Sequence, residues 1–571
     1  MEMSAPWLKY YGNVPHNLEY PDCSMEALVR RASANYPDVC AYDFFGVRIT
    51  YREFAKKIDD CARALAAAGI REGERVTICM PNVPQAIITF YAVNRIGAVA
   101  NMVHPLSAVE EIAFFLNTSN SAAALTLDQF YPKFEAVADK INIRTLIVTG
   151  IDDELSGVRK YGYRITQGRK IKKTPTGGKV VRWNDFLKAG RAYSGEYLCE
   201  KRGNDVAAIL YSGGTTGMTK GILLTNLNFN ALAMQTAAAG DCVIAGHKML
   251  TIMPIFHGFG LGVCVHTMFI SGVSGVLVPQ FSLKSYAKLL KKHKPHYIAG
   301  VPTLYEALLR MDDIDDLDMS QLEGMFCGGD SLTVELKRKV DAFLKAHGAS
   351  IQIREGYGTT ECVTASCLTP KNFHREGSIG IPYPDMFYKI VNPETFETLP
   401  SGETGEICIF GPSVMQGYLD NPEETALALK EHADGRVWLH TGDLGEMDED
   451  GFVYFRQRIK RIIISSGYSI YPSQIENSIE AHESVLISCV IGVPDDYKIQ
   501  KLKAFIVLRD GVEPTEEIKN AITAHCRRHI AKYAMPYAFE YRSDLPRTLV
   551  GKVAYMVLEQ EEAEKMQNSP F

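Results

Sequence analysis

The sequence predicts an α/β fold: a large N-terminal part built on predominantly parallel sheets, followed by a small α+β unit. Two observations support this prediction. Residues 70–125 alternate between apolar, strand-like segments and a segment with helical spacing, and the alternation recurs further along the chain. A basic stretch at 456–461 then precedes a C-terminal segment with a different order of elements. The length of 571 residues corresponds to roughly three to four domain-sized units.

The first strand–helix–strand unit lies between residues 75 and 103. Residues 75–80 are apolar and β-branched, which predicts a strand, and residues 85–95 carry apolar side chains at helical spacing. Gly97 ends that helix before the next predicted strand at 98–103. Because helices separate successive strands, we expect them to pair in parallel. Further strands of this kind are predicted at 122–126, 145–148, 207–211 and 297–301.

The segment 249–283 contains no aspartate, glutamate, lysine or arginine. Its central ~20 residues are long enough to cross a bilayer, but they include four glycines and His266, and prolines flank them. A globular α/β protein produces the same pattern from a buried helix followed by a buried parallel strand, here at 274–278. We favour this buried interpretation over a membrane span.

Composition excludes several functional classes. The chain has 61 basic and 67 acidic residues and a net charge of −6, so we expect no nucleic-acid partner. Its 28 tyrosines and 25 phenylalanines are typical of packed cores. The 13 cysteines include no CxxC pair, which disfavours a zinc ribbon, a thioredoxin-type site or a disulfide scaffold. Reduced cysteines, and an N-terminus without an apolar signal segment, lead us to expect a cytoplasmic protein.

Residues 159–182 form a basic segment with no acidic residue. One interpretation is a solvated insertion loop. The other is a patch that docks peripherally on anionic lipid at the inner membrane surface, at ~1 kcal/mol per basic residue. The sequence leaves both open. The basic residues are Arg159, Lys160, Arg164, Arg169, Lys170, Lys172, Lys173, Lys179 and Arg182.

The chain is predicted to divide into a large N-terminal domain at 1–456, a hinge at 457–461 and a small C-terminal domain at 462–571. The basis is the sequence Arg-Gln-Arg-Ile-Lys-Arg at 456–461 and the change in pattern after it. The small domain is predicted to contain a strand at 462–464, a helix from about residue 473, and strands at 485–493 and 503–508. About 110 residues is an adequate domain size.

The strongest functional signal is the segment 211–221, Tyr-Ser-Gly-Gly-Thr-Thr-Gly-Met-Thr-Lys-Gly, which follows a predicted strand. Its glycines let backbone N–H groups approach an anion closely. The hydroxyls and the charge of Lys220 add donors suited to a polyphosphate. The segment is neither a Walker A loop nor a G-x-G-x-x-G fingerprint. Alone, it is also compatible with an ordinary surface turn.

Four more segments carry chemistry. In the first, Tyr357 can stack on a base and Glu361 can hold Mg²⁺ against phosphate oxygens. In the second, Asp443 can accept hydrogen bonds from two ribose hydroxyls. The segments are 355–361 (Glu-Gly-Tyr-Gly-Thr-Thr-Glu), 439–443 (Leu-His-Thr-Gly-Asp), 458–467, and 545–552 (Leu-Pro-Arg-Thr-Leu-Val-Gly-Lys).

Together and in this order, the five segments resemble the adenylate-forming superfamily of acyl- and aryl-CoA synthetases, adenylation domains and beetle luciferases. The resemblance covers roughly residues 25–555. It implies parallel-rich α/β subdomains and a β-barrel-like subdomain in the large domain, with a small mobile C-terminal domain. It also implies an AMP-forming acid–thiol ligase. Such an enzyme uses ATP and Mg²⁺ to convert a carboxylic acid to acyl-AMP and pyrophosphate, and then transfers the acyl group to CoA.

The resemblance assigns a role to each matching residue. The phosphate loop would be Ser212, Gly213, Gly214, Thr215, Thr216 and Lys220. The adenine would be bordered by Gly328, Gly329, Glu355, Gly356 and Tyr357. Phosphate would face Thr360 and Glu361, the metal would bind Glu361 and Thr216, and the ribose would bind Asp443 and Arg458. The mobile catalytic lysine would be Lys552, with Lys460 at the hinge, Ser466 and Gly467 beside the path of CoA, and His257 beside the acyl pocket. The catalytic set is Lys552, Lys220, Thr216, His257 and Glu361.

The chain departs from the family pattern at three positions. Gly213 stands where serine is usual and Thr219 where proline is usual, which leads us to expect altered loop mobility rather than lost activity. Arg461 stands where an acidic residue often follows the hinge residue.

The interpretation of the substrate depends on the absence of acidic side chains from one segment. Segment 249–283 offers no acid to pair with an α-ammonium group, and burying that group unpaired is costly, so an amine-free acid is favoured. The glycine-rich stretch 258–262 could admit an alkyl chain, and 463–472 is similar to bacterial fatty-acyl-CoA ligases. We therefore favour a medium- or long-chain fatty acid. Open alternatives are an aryl-acid CoA ligase, an adenylation enzyme that loads a carrier protein, and a non-catalytic nucleotide sensor. Both a monomer and a homodimer are compatible with the sequence.

Overall fold

A computed structural model of the chain describes residues 4–171, 174–212, 219–312, 314–465, 468–495, 499–548 and 552–568. The strands in these residues are β1 (Cys40–Phe44), β2 (Val47–Thr50), β3 (Arg75–Cys79), β4 (Val99–Met102), β5 (Ser121–Leu127), β6 (Thr145–Thr149), β7 (Val180–Arg182), β8 (Val206–Ser212), β9 (Lys220–Thr225), β10 (Lys248–Thr251), β11 (Ser274–Leu277), β12 (Tyr297–Gly300), β13 (Gly324–Cys327), β14 (Ile353–Tyr357), β15 (Cys367–Leu368), β16 (Ile381–Pro382), β17 (Phe387–Val391), β18 (Gly405–Phe410), β19 (Gly417–Tyr418), β20 (Leu429–Glu431), β21 (Val437–Met447), β22 (Val453–Arg458), β23 (Ile463–Ser465), β24 (Tyr468–Ile470), β25 (Val485–Asp495), β26 (Ile499–Leu508) and β27 (Ala538–Arg542).

The α-helices in the same residues are α1 (Met25–Asn35), α2 (Tyr51–Ala67), α3 (Pro84–Arg95), α4 (Val109–Thr118), α5 (Tyr131–Ala136), α6 (Gly157–Ile165), α7 (Trp183–Arg191), α8 (Asn226–Gly240), α9 (Met268–Ile270), α10 (Leu283–His293), α11 (Pro302–Leu309), α12 (Val334–Ala346), α13 (Pro422–Ala428), α14 (Pro472–Glu480), α15 (Glu516–His529) and α16 (Tyr555–Asn568). Side-chain caps begin several of them. Thr50 and Glu53, for example, form a capping box at the start of α2.

The first sheet has eight strands in the order β19-β9-β8-β4-β3-β5-β6-β7. The strands from β8 to β7 pair in parallel, which confirms the parallel prediction for this part of the chain. β9 and β19 close one edge in antiparallel pairing. Helix α3 lies between β3 and β4 in sequence and is buried from Pro84 to Asn94, because α1 and α2 pack against it.

The second sheet has nine strands in the order β16-β15-β14-β13-β12-β10-β11-β1-β2. Its six central strands, from β14 to β1, are parallel, and antiparallel strands close both edges. In a parallel sheet the carboxyl ends of the strands meet at one edge, which is where loops bring ligand-binding groups together. The ends of β13 and β14 therefore determine where the candidate site lies.

The charge-free segment forms β10, a buried π-helix at Phe259–Thr267 that continues into α9, and the buried strand β11. The buried interpretation is confirmed. Among the described residues, no helix combines the length and hydropathy that crossing a membrane requires.

Two smaller sheets follow in the chain. The third sheet, with the order β17-β18-β21-β20 and β22 paired to β21, is antiparallel throughout. The fourth has the order β24-β23-β26-β25, with β27 parallel to β26. Helix α14 packs on β25 and on α15. This confirms the α+β character of the C-terminal segment. The predicted helix near residue 473 begins one residue earlier, and both predicted strands are longer than expected.

The basic segment is a helix and a strand rather than a loop over most of its described length. Helix α6 is followed by a short 3₁₀ turn at Gly168–Lys170, and β7 pairs in parallel with β6 at the edge of the first sheet. Arg164 is held by Asp152 at 2.8 Å. The expectation of a loop is therefore wrong for 159–165 and 180–182, whereas helix α6 has no buried residue and is solvated as expected. Lys172 and Lys173 lie outside the described residues.

Candidate active site

Four parts of the chain converge at the carboxyl end of β14. They are the loop after β13, β14 itself with the short helix Thr360–Cys362, the neighbouring strands β21 and β22, and residue Lys552 from the C-terminal segment. These elements are far apart in the sequence, and the sheets place their ends together.

A buried carboxylate lies at the centre of this convergence. Asp443 on β21 is 2% exposed and accepts a hydrogen bond at Oδ2 from the Tyr357 hydroxyl, 2.6 Å away. Arg458 lies opposite Asp443 in the β21–β22 ladder, with its Nε 3.2 Å from Oδ1. Burial raises the pKa of Asp443, and the charge of Arg458 opposes that change.

The geometry leaves one oxygen of Asp443 without a hydrogen bond. The Arg458 contact is close but not aligned, and Oδ1 accepts no hydrogen bond from the described residues although it is buried. A buried, unpaired carboxylate oxygen is costly, so the site suits a ligand that brings a hydroxyl donor. The sugar of a nucleotide fits that requirement.

The loop after β13 approaches β14 closely. A side chain at Gly328 would begin 3.1 Å from the Gly356 carbonyl oxygen, so only glycine fits there easily, and Gly329 has a φ of +81°. Glu355 accepts a hydrogen bond at Oε1 from the backbone N–H of Leu332, at 3.0 Å, and burial raises its pKa to about 8. The Glu355 side chain therefore holds this loop in place, and its role in bordering an adenine stays a prediction.

Glu361 lies in the short helix that follows β14, next to Thr360. The Tyr418 hydroxyl donates to its Oε1 at 2.9 Å, and Oε2 accepts no hydrogen bond from the described residues. A hard carboxylate oxygen with a free lone pair fits Mg²⁺. Val363, two residues later, has a φ of +64°, a conformation that is strained for a β-branched residue and is typical of functional sites.

Lys220 at the start of β9 forms an ion pair with Glu424, and its Nζ lies 5.0 Å from the centre of the Tyr418 ring. The lysine is thus at the mouth of the site but already paired. Gly213, Gly214, Thr215 and Thr216 lie outside the described residues, as does the side chain of Ser212.

Lys552 reaches the site although it belongs to the C-terminal segment, and its side chain is half-buried there. Its side chain lies against Gly329, whose added Cβ would be 3.9 Å from the lysine Cε. Burial lowers the pKa of Lys552, while the carboxylates of Asp330 and Asp443 favour its charged form. The chain thus places a half-buried ammonium group against the loop after β13, where the charges of Asp330 and Asp443 act on it.

His257 is a further predicted site residue near Lys552. Burial, with the nearby charge of Lys552, lowers the pKa of His257 to about 4. Its Nδ1 accepts a hydrogen bond from the N–H of Phe259 at 3.2 Å. The ring is therefore neutral at pH 7, with the proton on Nε2.

The glycine-rich stretch 258–262 is closed by protein atoms. A Cβ on Gly258 would lie 1.7 Å from the Val363 carbonyl oxygen, and one on Gly260 would lie 2.1 Å from that of Pro254. These glycines permit close packing of the π-helix against its neighbours. The expectation that this stretch admits an alkyl chain stays a prediction.

The C-terminal segment is held against the large part by ion pairs. Arg547, near Lys552, lies 3.6 Å from the buried Glu306 on α11, and Arg310 lies 3.4 Å from Asp510. Arg461 pairs with Glu476 on α14, so this departure from the family pattern has a partner within the small unit. Ser466, Gly467 and the side chain of Lys460 lie outside the described residues.

Three residues near the site were not predicted from the sequence. Asp330 directly follows Gly328 and Gly329, and this adjacency was the feature of the sequence that could have identified it as a site residue. Tyr418 and Glu424 come from a separate segment with no local motif, and only the pairing of β19 with β9 brings them to Glu361 and Lys220.

The fold and the convergence of these residues, including a lysine from the C-terminal segment, are typical of a nucleotide-binding enzyme. Comparison with known families agrees. The family described as "AMP-binding enzyme" matches residues 29–419, and "AMP-binding enzyme C-terminal domain" matches residues 474–552. The chain belongs to the AMP-binding enzyme family, within the adenylate-forming superfamily.

Similar proteins span almost the whole chain. A long-chain-fatty-acid–CoA ligase from Bacillus subtilis is 34% identical, covering 99% of both chains. One from Salmonella typhimurium is 31% identical, covering 99% of this chain and 100% of its own. Among solved structures, the ATP-bound RpMatB–BxBclM chimera B1 is 25% identical with a TM-score of 0.81, covering 95% and 99% of the two chains. The anthranilate CoA ligase AuaEII, in complex with anthranoyl-AMP, shares the fold at 22% identity with a TM-score of 0.82, covering 98% and 99%.

Proposed function

We propose that this protein is an AMP-forming acyl-CoA synthetase. It activates a carboxylic acid with ATP to acyl-AMP and pyrophosphate, and then transfers the acyl group to CoA. The observation that carries this proposal is the position of Lys552 against Gly329, since it places a cation from the C-terminal segment at the loop after β13, where the charge of Asp443, the group that suits a ribose, acts on it.

The chemistry of the first step requires positive charge rather than a base. The substrate carboxylate is ionised at pH 7, so no proton has to be removed, but it must approach the α-phosphate of ATP, which is also anionic. Lys552 would stabilise the charge that develops between these groups. Mg²⁺ held by Glu361, and by Thr216 outside the described residues, would neutralise phosphate charge as pyrophosphate leaves.

Neighbouring residues orient the nucleotide. Asp443 would accept hydrogen bonds from the ribose at its unpaired Oδ1, with Arg458 and Tyr357 fixing the carboxylate. The backbone around Gly328, Gly329 and Gly356 would border the adenine. Because His257 is neutral, it adds no second positive charge beside Lys552.

The second step requires Lys552 to withdraw, because a thiol must reach the carbon that the lysine would obstruct. We propose that the unit at 462–571 swings about residues 457–461. The contacts change within this short stretch: Arg458 pairs with Asp443 of the large part, whereas Arg461 pairs with Glu476 of the small one.

The preferred substrate is a medium- or long-chain fatty acid. The charge-free segment 249–283 supplies no partner for a substrate ammonium group, and relatives at 31–34% identity bear the name long-chain-fatty-acid–CoA ligase. An aryl acid is the alternative, favoured by the structural similarity to an anthranilate CoA ligase.

A panel experiment tests the reaction and the substrate together. The protein is incubated with ATP, Mg²⁺, CoA and either aliphatic acids from C4 to C18 or aryl acids, and both pyrophosphate and thioester are measured. Pyrophosphate and acyl-CoA with the longer aliphatic acids are expected. Pyrophosphate without thioester would point to a carrier-protein acceptor, and neither product would point to a nucleotide sensor.

We also propose that the protein works in the cytoplasm and contacts an anionic membrane surface through α6. Val158, Tyr161 and Ile165 recur at helical spacing and are 87, 69 and 55% exposed, so α6 turns apolar side chains to solvent. Basic residues surround them, as in helices that lie in a lipid interface. The 13 cysteines are free, as is typical of a reducing compartment.

Vesicle sedimentation tests this contact. The protein is expected to pellet with phosphatidylglycerol-containing vesicles and not with pure phosphatidylcholine. A V158S/Y161S variant should lose this binding, whereas Leu198→Ser, at a position 62% exposed elsewhere on the surface, should retain it. Equal binding by both variants would contradict the proposed contact.

A further inference from the structure

A second cluster of chemically reactive side chains lies in the third sheet. Cys408 on β18 is paired in register with His440 on β21, and His432 lies in the hairpin between β20 and β21. The sulfur and the nearest ring nitrogens of these three residues lie within 4.8 Å of one another. The proposed reaction uses none of them.

The two imidazole rings face each other through their Nε2 atoms, 2.9 Å apart. A Zn²⁺ ion with bonds of ~2.0–2.3 Å holds its ligand atoms ~3.3–3.8 Å apart. Small side-chain adjustments therefore bring all three donors to coordination distance. Two imidazoles and one thiol are a donor set that Zn²⁺ prefers, with a fourth position left for water.

A carboxylate orients one of the rings for this purpose. Glu406 Oε2 lies 2.7 Å from His440 Nδ1 and accepts its hydrogen bond. The proton of neutral His440 is then on Nδ1, so the lone pair of Nε2 points toward His432 and Cys408. Metal-binding histidines are usually held by a carboxylate in this way.

The surroundings provide charge and access. Glu406 contributes a negative charge next to the cluster, and Phe396 packs edge-on against His440 with ring centres 5.0 Å apart. Two nearby lysines are directed onto aromatic rings, Lys389 over Trp438 at 4.0 Å and Lys430 over Phe396 at 3.9 Å. Cys408 and His440 are buried, whereas His432 is only half-buried and offers an entry path from the hairpin.

We propose that Cys408, His432 and His440 bind one Zn²⁺ ion, with Glu406 as the positioning residue for His440. The ion would fix the β20–β21 hairpin. It would also strengthen the connection between β18 and β21, the strand that carries Asp443. Glu406, which positions His440, already links the two strands, because its Oε1 accepts a hydrogen bond from the N–H of Gly442 at 2.9 Å.

Metal titration of the purified full chain tests the site without reference to turnover. Isothermal titration with Zn²⁺ is expected to show one tight site per chain. His432→Ala, which changes a half-buried hairpin residue, and Cys408→Ala should each weaken binding at least tenfold. The matched control is His525→Ala, because His525 stacks on His529 with ring centres 4.3 Å apart and lies near His482, forming a separate group of histidines.

Cobalt substitution identifies the ligands. Co²⁺ bound to the wild-type protein should give a thiolate-to-metal charge-transfer band, and His432→Ala and Cys408→Ala should lack it while His525→Ala retains it. Loss of Zn²⁺ binding in His525→Ala alone, unchanged binding in both cluster variants, or a Co²⁺ complex without a thiolate band would overturn the proposal.

Discussion

Replacing Lys552 with alanine should separate the two half-reactions. The wild-type side chain is half-buried, and the carboxylates of Asp330 and Asp443 favour its charged form, in surroundings where water screens charge less than in bulk solution. Removing one preorganised donor from such a site costs ~2.7–4 kcal/mol of transition-state stabilisation. Adenylate formation should therefore slow by ~10²–10³-fold. Transfer of a supplied acyl-AMP to CoA should change far less, because the lysine has to leave for that step.

Each half-reaction has its own assay. Pyrophosphate release in a single turnover reports adenylation, and acyl-CoA formation from synthetic acyl-AMP reports transfer. Lys565→Ala is the matched control, since Lys565 also lies in the C-terminal segment and pairs there with Glu540 and Glu562. Equal losses in both steps for Lys552→Ala, or adenylation within threefold of wild type, would refute the role given to Lys552.

Three further predictions follow from the same geometry. Asp443→Asn removes charge-assisted hydrogen bonds worth ~1.5–3 kcal/mol each. The KM for ATP should therefore rise at least tenfold in steady-state assays. A change below twofold would contradict the ribose contact. Burial raises the pKa of Glu355 to about 8, so the unfolded state loses this proton at a lower pH than the folded state does. Between pH 5 and 8 the free energy of unfolding of the wild type should therefore fall relative to that of Glu355→Gln, by up to ~1.4 kcal/mol per pH unit. Urea unfolding measures this difference, and a pH-independent difference would contradict a buried, protonated Glu355. Arg547→Ala breaks the pair between a partly exposed arginine near Lys552 and the buried Glu306 of the large part. Pyrophosphate release should slow about fivefold, as expected for ~1 kcal/mol, with transfer to CoA unaffected, and equal slowing of both steps would argue against it.

Periodicity predicted the parallel sheets well because local pattern and tertiary structure agree there. The unit at 75–103 is almost wholly buried, so its strands are mainly apolar, with the buried polar residues Thr77 and Asn101 as exceptions, and its helix boundaries are marked by Pro84 and Gly97. The basic segment was harder to interpret. Its strand β7 is only three residues long and gains its stability from pairing with β6, a long-range effect that charge counting does not reveal.

Motif order predicted which residues meet, but not what their side chains do. Asp443, Tyr357, Arg458 and Lys552 come together as expected from the family resemblance. Glu355 holds the loop after β13 because its carboxylate reaches the Leu332 N–H, a contact between two segments that no local pattern contains.

The acyl pocket shows the limit of composition as a guide. Glycine and apolar residues at 258–262 are equally suitable for an open channel and for close packing. The Pro254 and Val363 carbonyl groups show that Gly258 and Gly260 permit close packing, and the path of an alkyl chain stays a prediction.

The most direct test of the nucleotide site is a crystal structure with a non-hydrolysable acyl-AMP analogue. The ribose hydroxyls should lie within hydrogen-bond distance of the Asp443 carboxylate, with the phosphate facing the loop after β13. Nucleotide density elsewhere on the protein, or a sugar more than one hydrogen-bond length from Asp443, would contradict the site and the reaction derived from it.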